Sequence, residues 1–527
     1  MWYQRPDAFC QDNPTAAGAR TGIGKGFLLR AFLDARSVPA GTFLDTDLAI
    51  IGGGPAGISL ALALADANFK VLLLESGGME FDGATQALYA GSETGVRYLP
   101  LEACRLRFLG GSSNHWGGWC RPLNAIDFEA RSWLPYSGWP FSKAALEPYF
   151  ARAQSLVEAG PFIYDQPAQW TAALGPPIAL GDGGVTTTHF QFSKTRDAIL
   201  PTHFGERYAG DLKRVPNLTV MLNANVTGVR LAGDARTVDH LDVATLSGTH
   251  FTVKPRHTVV AVGGVETPRL LLASRDVVTN GVGNGSDMVG RFFADHPIPG
   301  DTAIMVLFDG KISPYYQSIL AANGTNVRAA LTPHESFQRA RGVLCSLATV
   351  EGEVQLDGLG QATMLETAAT LGIDAGSMRA FTLGCGIELA PDPDRRLTLA
   401  SDTDALGMPR LKLDMRISDE DFARYRTTLT ELGRQLLAAR TGMVRILHKT
   451  REEWLSVMDW GNHHMGTTRM HNDPKQGVVD ANSQVHGIPN LFIAGSSVFP
   501  TYGASNPTLN MIALTLRLAD RLKALHA

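Results

Sequence analysis

The stretch "LAIIGGGPAGISLALALADANFKVLLLE" (residues 48–75) constrains the fold more than any other part of the chain. Leu48–Ile51 reads as a buried strand, Ala56–Asp66 as a helix rich in Ala and Leu, and Lys70–Glu75 as a second buried strand. Between the first strand and the helix stand Gly52, Gly54 and Gly57, spaced as GxGxxG. In that pattern the first glycine makes the tight turn, the second lets a pyrophosphate approach the backbone, and the third lets helix and strand pack closely. Pro55 and Ala56 open the helix, whose free N–H groups and dipole favour an anion. Glu75 ends the second strand about 20 residues on, where a carboxylate can accept from ribose hydroxyls, with Ser76 beside it. A lone GxGxxG is a weak signal. Here strand, glycines, helix, strand and acid fall in order, which predicts an adenine dinucleotide without separating NAD from FAD.

Length and charge narrow the class. The 527 residues favour two or more domains. With 44% hydrophobic and 19% charged residues the chain can bury a large core. A net charge of −4 and the lack of a Lys/Arg block argue against a nucleic-acid footprint. The 55 glycines cluster in short loops, as expected where backbone approaches a ligand. The five cysteines (Cys10, Cys104, Cys120, Cys345, Cys385) form no CxxC pair and fit no zinc or iron–sulfur framework. They read as free thiols in a reducing compartment. Neither a signal peptide nor a membrane span is evident, so the expectation is a cytoplasmic protein, with export alongside a signal-bearing partner subunit left open.

Further along, residues 1–44 read as an N-terminal extension, helical around Gly26–Ala35. Residues 101–122 are loop-like, and 145–158 read as a helix. "NLTVMLNANVTGVRL" and "RHTVVAVGG" read as strands around a polar hairpin at 233–255, and "VETPRLLLAS" as a helix start. Residues 301–400 are strand-rich. Residues 418–441 form an amphipathic helix that Ser418 and Asp419 can cap. A strand "NLFIAGSS", a Gly/Pro loop and a final helix close the chain.

Four segments carry a family resemblance in the family's order: "FLGGSSNHWGGW" (108–119), "VVAVGGVETPRLLLAS" (259–274), "VGRFFADHP" (289–297), and the run from "HHMGTTRM" through "SNPTLNMIALTLRLAD". With the glycine loop, they make the chain resemble the glucose–methanol–choline (GMC) oxidoreductases over roughly residues 45–527, loosely so at 301–450. The wording is most similar to the sugar-oxidising branch, which includes pyranose oxidases and bacterial sugar dehydrogenase flavoproteins. Gly495 supports this, because many alcohol-oxidising members carry an acid there.

The resemblance implies an α/β fold with a Rossmann-like FAD-binding domain split along the chain. Its second part is an α+β substrate domain built on an antiparallel sheet. The expected division is 45–140, 205–300 and 460–527 for FAD, and 141–204 and 301–459 for substrate. Carried over by motif, Gly110, Gly111, Ser112, Asn114, His115, Trp116, Gly117 and Gly118 line the flavin. Val226 binds the adenine through its backbone. Gly263, Gly495, Ser496, Pro507 and Thr508 surround the FAD. His463 falls on the catalytic histidine and Asn506 on its partner. His115 matches the position that carries covalent flavin in pyranose-oxidase-like wording. Asn114 departs from the threonine found there, so non-covalent FAD is the first expectation and a link through His115 the second.

The chemistry suits these residues. Oxidising an alcohol removes a proton from oxygen and a hydride from carbon, and flavin N5 takes the hydride. A histidine, with an ordinary pKa near 6.5, suits the base, and a neutral Asn holds the hydroxyl without competing for its proton. His464, His471, His486 and His296 read as structural, and no carboxylate or further histidine stands at metal-ligand spacing around the 463/464 pair. Trp116 and Trp119 either wall a sugar site or pack the loop. The leading expectation is FAD-dependent oxidation of a sugar or glycoside CH–OH to the carbonyl. The alternatives are a non-carbohydrate alcohol or a non-catalytic flavin-fold binding protein. The partners are a small-molecule substrate and an electron acceptor, oxygen or a diffusible quinone, with no nucleic acid and no membrane. Oligomeric state is open.

Overall fold

Around the glycine loop the chain builds a largely parallel eight-stranded sheet. The structure, a computed structural model, describes residues 31–181, 183–193, 201–300, 302–321 and 324–527. The strands of this first sheet are β1 (Phe32–Asp34), β2 (Phe43–Ile51), β3 (Val71–Leu74), β4 (Leu218–Leu222), β5 (Asn225–Leu231), β6 (Val238–Ala244), β7 (His250–Val260) and β8 (Leu491–Ile493). Their order is β1-β4-β3-β2-β7-β6-β5, with β8 also on β7. β1, β4, β3, β2, β7 and β8 run parallel, β6 pairs antiparallel with β7, and β5 pairs antiparallel with β6.

Burial explains the arrangement. β2 alternates exposed and buried from Phe43 to Thr46, leaves Asp47 half-buried, and is then buried continuously from Leu48 to Ile51. That is the pattern of a strand whose inner half is covered on both faces. β7 is long enough to serve two neighbours: His250–Val253 pair with β6 and Thr258–Val260 with β8. Thus a strand more than 200 residues downstream joins the same core, and helices α1 (Pro55–Ala63), α2 (Gly263–Ala273) and, at the end of the chain, α4 (Pro507–Leu525) pack around it.

A second, antiparallel sheet carries the middle of the chain. Its order is 442–446, 303–307, 379–387, 346–353, 326–333, 185–192 and 119–120, with 319–320 added at 326–333. Helix α3 (Asp419–Ala438) packs on it, started by a capping box between Ser418 and Asp421. Strand 91–95 pairs with 409–415, so two early segments, 91–95 and 119–120, pair with strands that lie outside the first sheet.

One expectation is corrected. The described part of the N-terminal stretch is not an extension with a helix near Ala35. Phe32–Asp34 is a strand paired with Val220–Leu222, followed by a 3-10 turn at Ala35–Ser37 that Asp34 caps. The exposed edge of β4 offers backbone groups that a strand satisfies and a helix does not. The rest of that stretch, Cys10 included, lies outside the described residues. The other four cysteines are free and buried, and burial pushes each thiol up to about 12. Among the described residues no helix is long and apolar enough to cross a membrane.

Candidate active site

The site is assembled from loops at the ends of the first sheet's strands. Gly52 turns with φ +107°, and a Cβ on Gly57 would lie 1.9 Å from Gly52 O, so only glycine lets α1 start this close to β2. Gly54 is different: nothing lies within 4 Å of where its Cβ would point. α1 begins at Pro55 without a side-chain cap. Its first N–H groups are left for an outside acceptor. The Glu75 carboxylate accepts from Gly53 N–H at 2.7 Å and Gly77 N–H at 2.8 Å, which fixes it beside the loop. Acceptor capacity remains on it for hydroxyls. Ala224 N–H donates to Glu75 O, so Val226 follows at the same end of the sheet, where it is buried and paired with Val243.

The Gly110–Gly118 loop folds onto the glycine loop. Gly110 N–H donates to Gly53 O at 2.8 Å, and Gly111's Cβ position is 3.2 Å from Gly54 Cα. A 3-10 turn carries Gly111–Asn114. Asn114 Nδ2 donates to Leu109 O, and Trp116 Nε1 to Thr202 O. Ser112 Oγ stands 3.4 Å from Leu106 N–H. His115 and Gly117 are the exposed members of the loop. Trp119 turns the other way: it is buried against Phe190 and Phe192 in the second sheet.

The C-terminal segments close the other side. The His464 carbonyl is 2.3 Å from where a Cβ of Gly264 would sit and accepts from Ser496 Oγ at 2.7 Å. Thr467 Oγ1 donates to Gly264 O at 2.6 Å. The histidine loop is therefore stitched to both Gly263–Gly264 and Gly495–Ser496. Gly263 and Gly495, like Gly54, have nothing within 4 Å of their Cβ positions, although Gly495 is buried. Helices α2 and α4 both start without a side-chain cap, α4 at Asn506 followed by Pro507 and Thr508. Three glycines beside open space, three uncapped helix starts and a fixed carboxylate are what an extended dinucleotide diphosphate requires.

His463 and Asn506 meet here, with Asn506 Nδ2 3.0 Å from His463 Nε2. The fold brings His463 out by a bulge. Pro297–Pro299 pairs antiparallel with Met458–Trp460, and Ala294 bridges Met465. Between these points Asp295 and His296 face the four residues 461–464, and Asn462 takes φ +57°, a conformation Asn tolerates. Asp295 Oδ1 accepts from the backbone N–H groups of His463 and His296, each at 2.7 Å, and Oδ2 from Tyr98 OH at 2.5 Å. Burial nevertheless pushes the Asp295 carboxyl up to about 7.

The expectation that His296 is merely structural is corrected. His296 Nδ1 lies 2.8 Å from His463 Nδ1, and its Nε2 lies 2.8 Å from Gly503 O. Burial pushes His296 down to about 4. His463 is held well below the ordinary histidine value by burial first, then by the neighbouring His296 and His464. Both shifts favour the neutral ring at pH 7. The "ADHP" wording is visible in the sequence, but nothing there pairs it with residue 463. His464 stacks on Phe293, and its Nε2 has no hydrogen-bond partner among the described residues. His471 and His486 serve the local loop, where His486 Nε2 reaches His471 O.

A buried ion pair lies beneath. Arg131 contacts Glu388 Oε1 at 3.1 Å, both side chains fully buried. Glu388 also accepts from Cys345 N–H and approaches Tyr502 N–H, next to Gly503. Asn510, unmarked by any sequence signal, ties α4 to the 121–123 segment by accepting from Leu123 N–H and donating to Arg121 O.

Comparison with known proteins agrees with this architecture. Residues 47–279 match the family described as FAD dependent oxidoreductase, and residues 391–515 the one described as GMC oxidoreductase. The chain is 29% identical to the fructose dehydrogenase large subunit of Gluconobacter japonicus over 270 residues, 50% of this chain and 46% of that one. It is 24% identical to 2-methyl-1,2-propanediol dehydrogenase of Mycolicibacterium austroafricanum, over 90% of this chain and 95% of that one. To paromamine 6'-oxidase of Streptomyces fradiae it is 25% identical, over 90% of each chain. The crystal structure of a formate oxidase superposes with a TM-score of 0.57 at 18% identity, covering 93% of this chain and 99% of that one, a likeness of fold. The chain is therefore an FAD-dependent oxidoreductase that carries a GMC oxidoreductase segment in its C-terminal part.

Proposed function

We propose that this enzyme oxidises a CH–OH group of a sugar or glycoside to the carbonyl, with His463 as the base and Asn506 as the group that holds the hydroxyl. The 3.0 Å pairing of His463 Nε2 with Asn506 Nδ2, on loops stitched to Gly264 and Ser496, carries the reading. When bound, FAD supplies a hydride acceptor. Gly54, Gly57, Glu75, Gly263, Gly495 and the uncapped starts of α1, α2 and α4 would hold it, with the Gly110–Gly118 loop over its flavin end. A substrate hydroxyl entering between the two side chains donates to His463 Nε2 and accepts from Asn506 Nδ2–H. His463 then takes the hydroxyl proton as the carbon gives up its hydride.

Two names support a carbohydrate: relatives called fructose dehydrogenase and paromamine 6'-oxidase. The relative named 2-methyl-1,2-propanediol dehydrogenase, matched over 95% of its length, favours a second reading, a small diol. A panel of sugars, glycosides and diols, run on yellow protein with an oxygen electrode and with an artificial acceptor, separates them. Turnover of diols alone would overturn the sugar reading. The same protein, precipitated with acid, leaves a colourless pellet if FAD is held without a bond to His115.

A further inference from the structure

The ring of His463 is held in a chain with two groups outside the proposed catalytic pair, His296 and the Gly503 carbonyl, and that chain leaves one arrangement of protons. Gly503 O can only accept, so His296 Nε2, 2.8 Å away, carries a proton. A neutral His296 then has a bare Nδ1. His463 Nδ1 stands 2.8 Å from it, so the proton between the two nitrogens belongs to His463. His463 Nε2 is left bare, facing Asn506 Nδ2–H at 3.0 Å. Every contact in the sequence Gly503–His296–His463–Asn506 is satisfied by this assignment. Reversing the His463 proton would set two bare Nδ1 atoms together and oppose two donors at Nε2.

We propose that His296 is a positioning residue that fixes His463 as its Nδ1–H tautomer, presenting the Nε2 lone pair to the substrate hydroxyl. Asp295 does the matching work on the backbone, where its Oδ1 accepts from the N–H groups of both histidines. The two adjacent residues therefore clamp His463 by ring and by main chain. The ribbon 297–299/458–460 sets their register, and the extra residues in the opposing 461–464 segment swing His463 across to them. The other charged or titratable groups around the pair are consistent with two neutral rings: Glu388 is engaged by Arg131, the Asp295 carboxyl is occupied by its donors, and Tyr502 packs edge-on against His296. The tautomer is a ground-state property of the FAD-loaded protein. The functional meaning given to it rests on His463 being the base, but its measurement does not.

The test uses the FAD-loaded enzyme labelled with ring-¹⁵N histidine, read by NMR near pH 7, with the His463 signals assigned by their loss in His463→Ala. The expected result is a protonated Nδ1 and an unprotonated Nε2 on His463. In His296→Leu, which removes the acceptor, that fixed split is lost or inverted. In His296→Asn, whose Oδ1 stands in for the acceptor, it is kept. A parent protein with His463 protonated at Nε2 overturns the proposal, as does a split unchanged in His296→Leu. If a His296 variant fails to bind FAD, the parent spectrum still decides. Failure of the base reading looks different: His463→Ala would oxidise substrate at the parental rate while the parent tautomer remained as stated.

Discussion

Replacing His463 with glutamine tests the site most directly. Gln retains a polar side chain of similar reach but cannot accept a proton at neutral pH. General-base assistance is worth about 10²–10⁴ in rate, or about 3–5 kcal/mol of transition-state stabilisation. The upper part of that range is expected here. The ring is pinned through Nδ1 to His296 and through Nε2 to Asn506, so no neighbour is placed to substitute: His296 is locked to Gly503, and His464 stacks on Phe293. The assay is anaerobic single-turnover bleaching of the bound flavin by the best substrate of the panel, which reports the reductive step alone. His463→Gln should slow bleaching by about 10³-fold or more while the protein stays yellow. The pH dependence gives a second check. A base works unprotonated, and burial together with His296 and His464 holds the His463 pKa well below 6.5. The active form therefore persists to lower pH, and the acid limb of kcat/KM should fall below the ordinary histidine value. A variant that bleaches at the parental rate, or an acid limb above 6.5 that vanishes in His463→Gln, would refute the reasoning.

Other expectations follow from the packing. Gly57→Ala should lower thermal stability even without FAD, because its Cβ would meet Gly52 O at 1.9 Å. Gly54→Ala should leave apo stability unchanged and weaken FAD binding, because its Cβ points into open space. Equal behaviour of the two in thermal melts and FAD titrations would contradict the cradle. Glu388→Ala strands a buried guanidinium on Arg131 and should cost about 3–5 kcal/mol in denaturant unfolding, whereas a loss below about 1 kcal/mol would match an exposed pair. Burial depresses His189 and His296 to about 4 and His464 to about 3, and lowers His463 as well. Their stabilising effect is present above the unfolded value of 6.5 and is lost as pH falls toward 4. Asp127 and Asp295, raised to about 7, act in the opposite sense over the same range. His257, lowered to about 4 by burial, adds to these histidines, which outnumber the two carboxyls, so the melting temperature should fall on acidification from 6.5 to 4. A rise would show that the carboxyls dominate.

Much of the architecture is legible in the sequence because its signals are local. Leu48–Glu75 specifies strand, turn, helix and strand through apolar runs and three glycines, and the structure sets them in that order. The start of α3 is likewise legible at Ser418, while the structure shows that its capping-box partner is Asp421 rather than Asp419. Local signals fail where a partner is distant. Phe32–Asp34 becomes a strand because β4, nearly 190 residues later in the chain, leaves an edge to be paired. The sequence likewise does not show that Trp119 packs on Phe190 and Phe192.

The same division runs through the candidate site. The sequence by itself determined the dinucleotide loop and the acid that follows it, and its family resemblance singled out His463 and Asn506 as candidates for proton removal. Only the tertiary structure decided that those two side chains meet and that a third histidine sits behind the first. His296 and His463 are 167 positions apart, and nothing in either segment's own periodicity refers to the other. They are joined by one antiparallel register and a bulge at Asn462. Hydrogen-bond direction, and with it the placement of protons in the site, is a property of that three-dimensional juxtaposition rather than of residue type. An imidazole has two tautomers until its neighbours choose one.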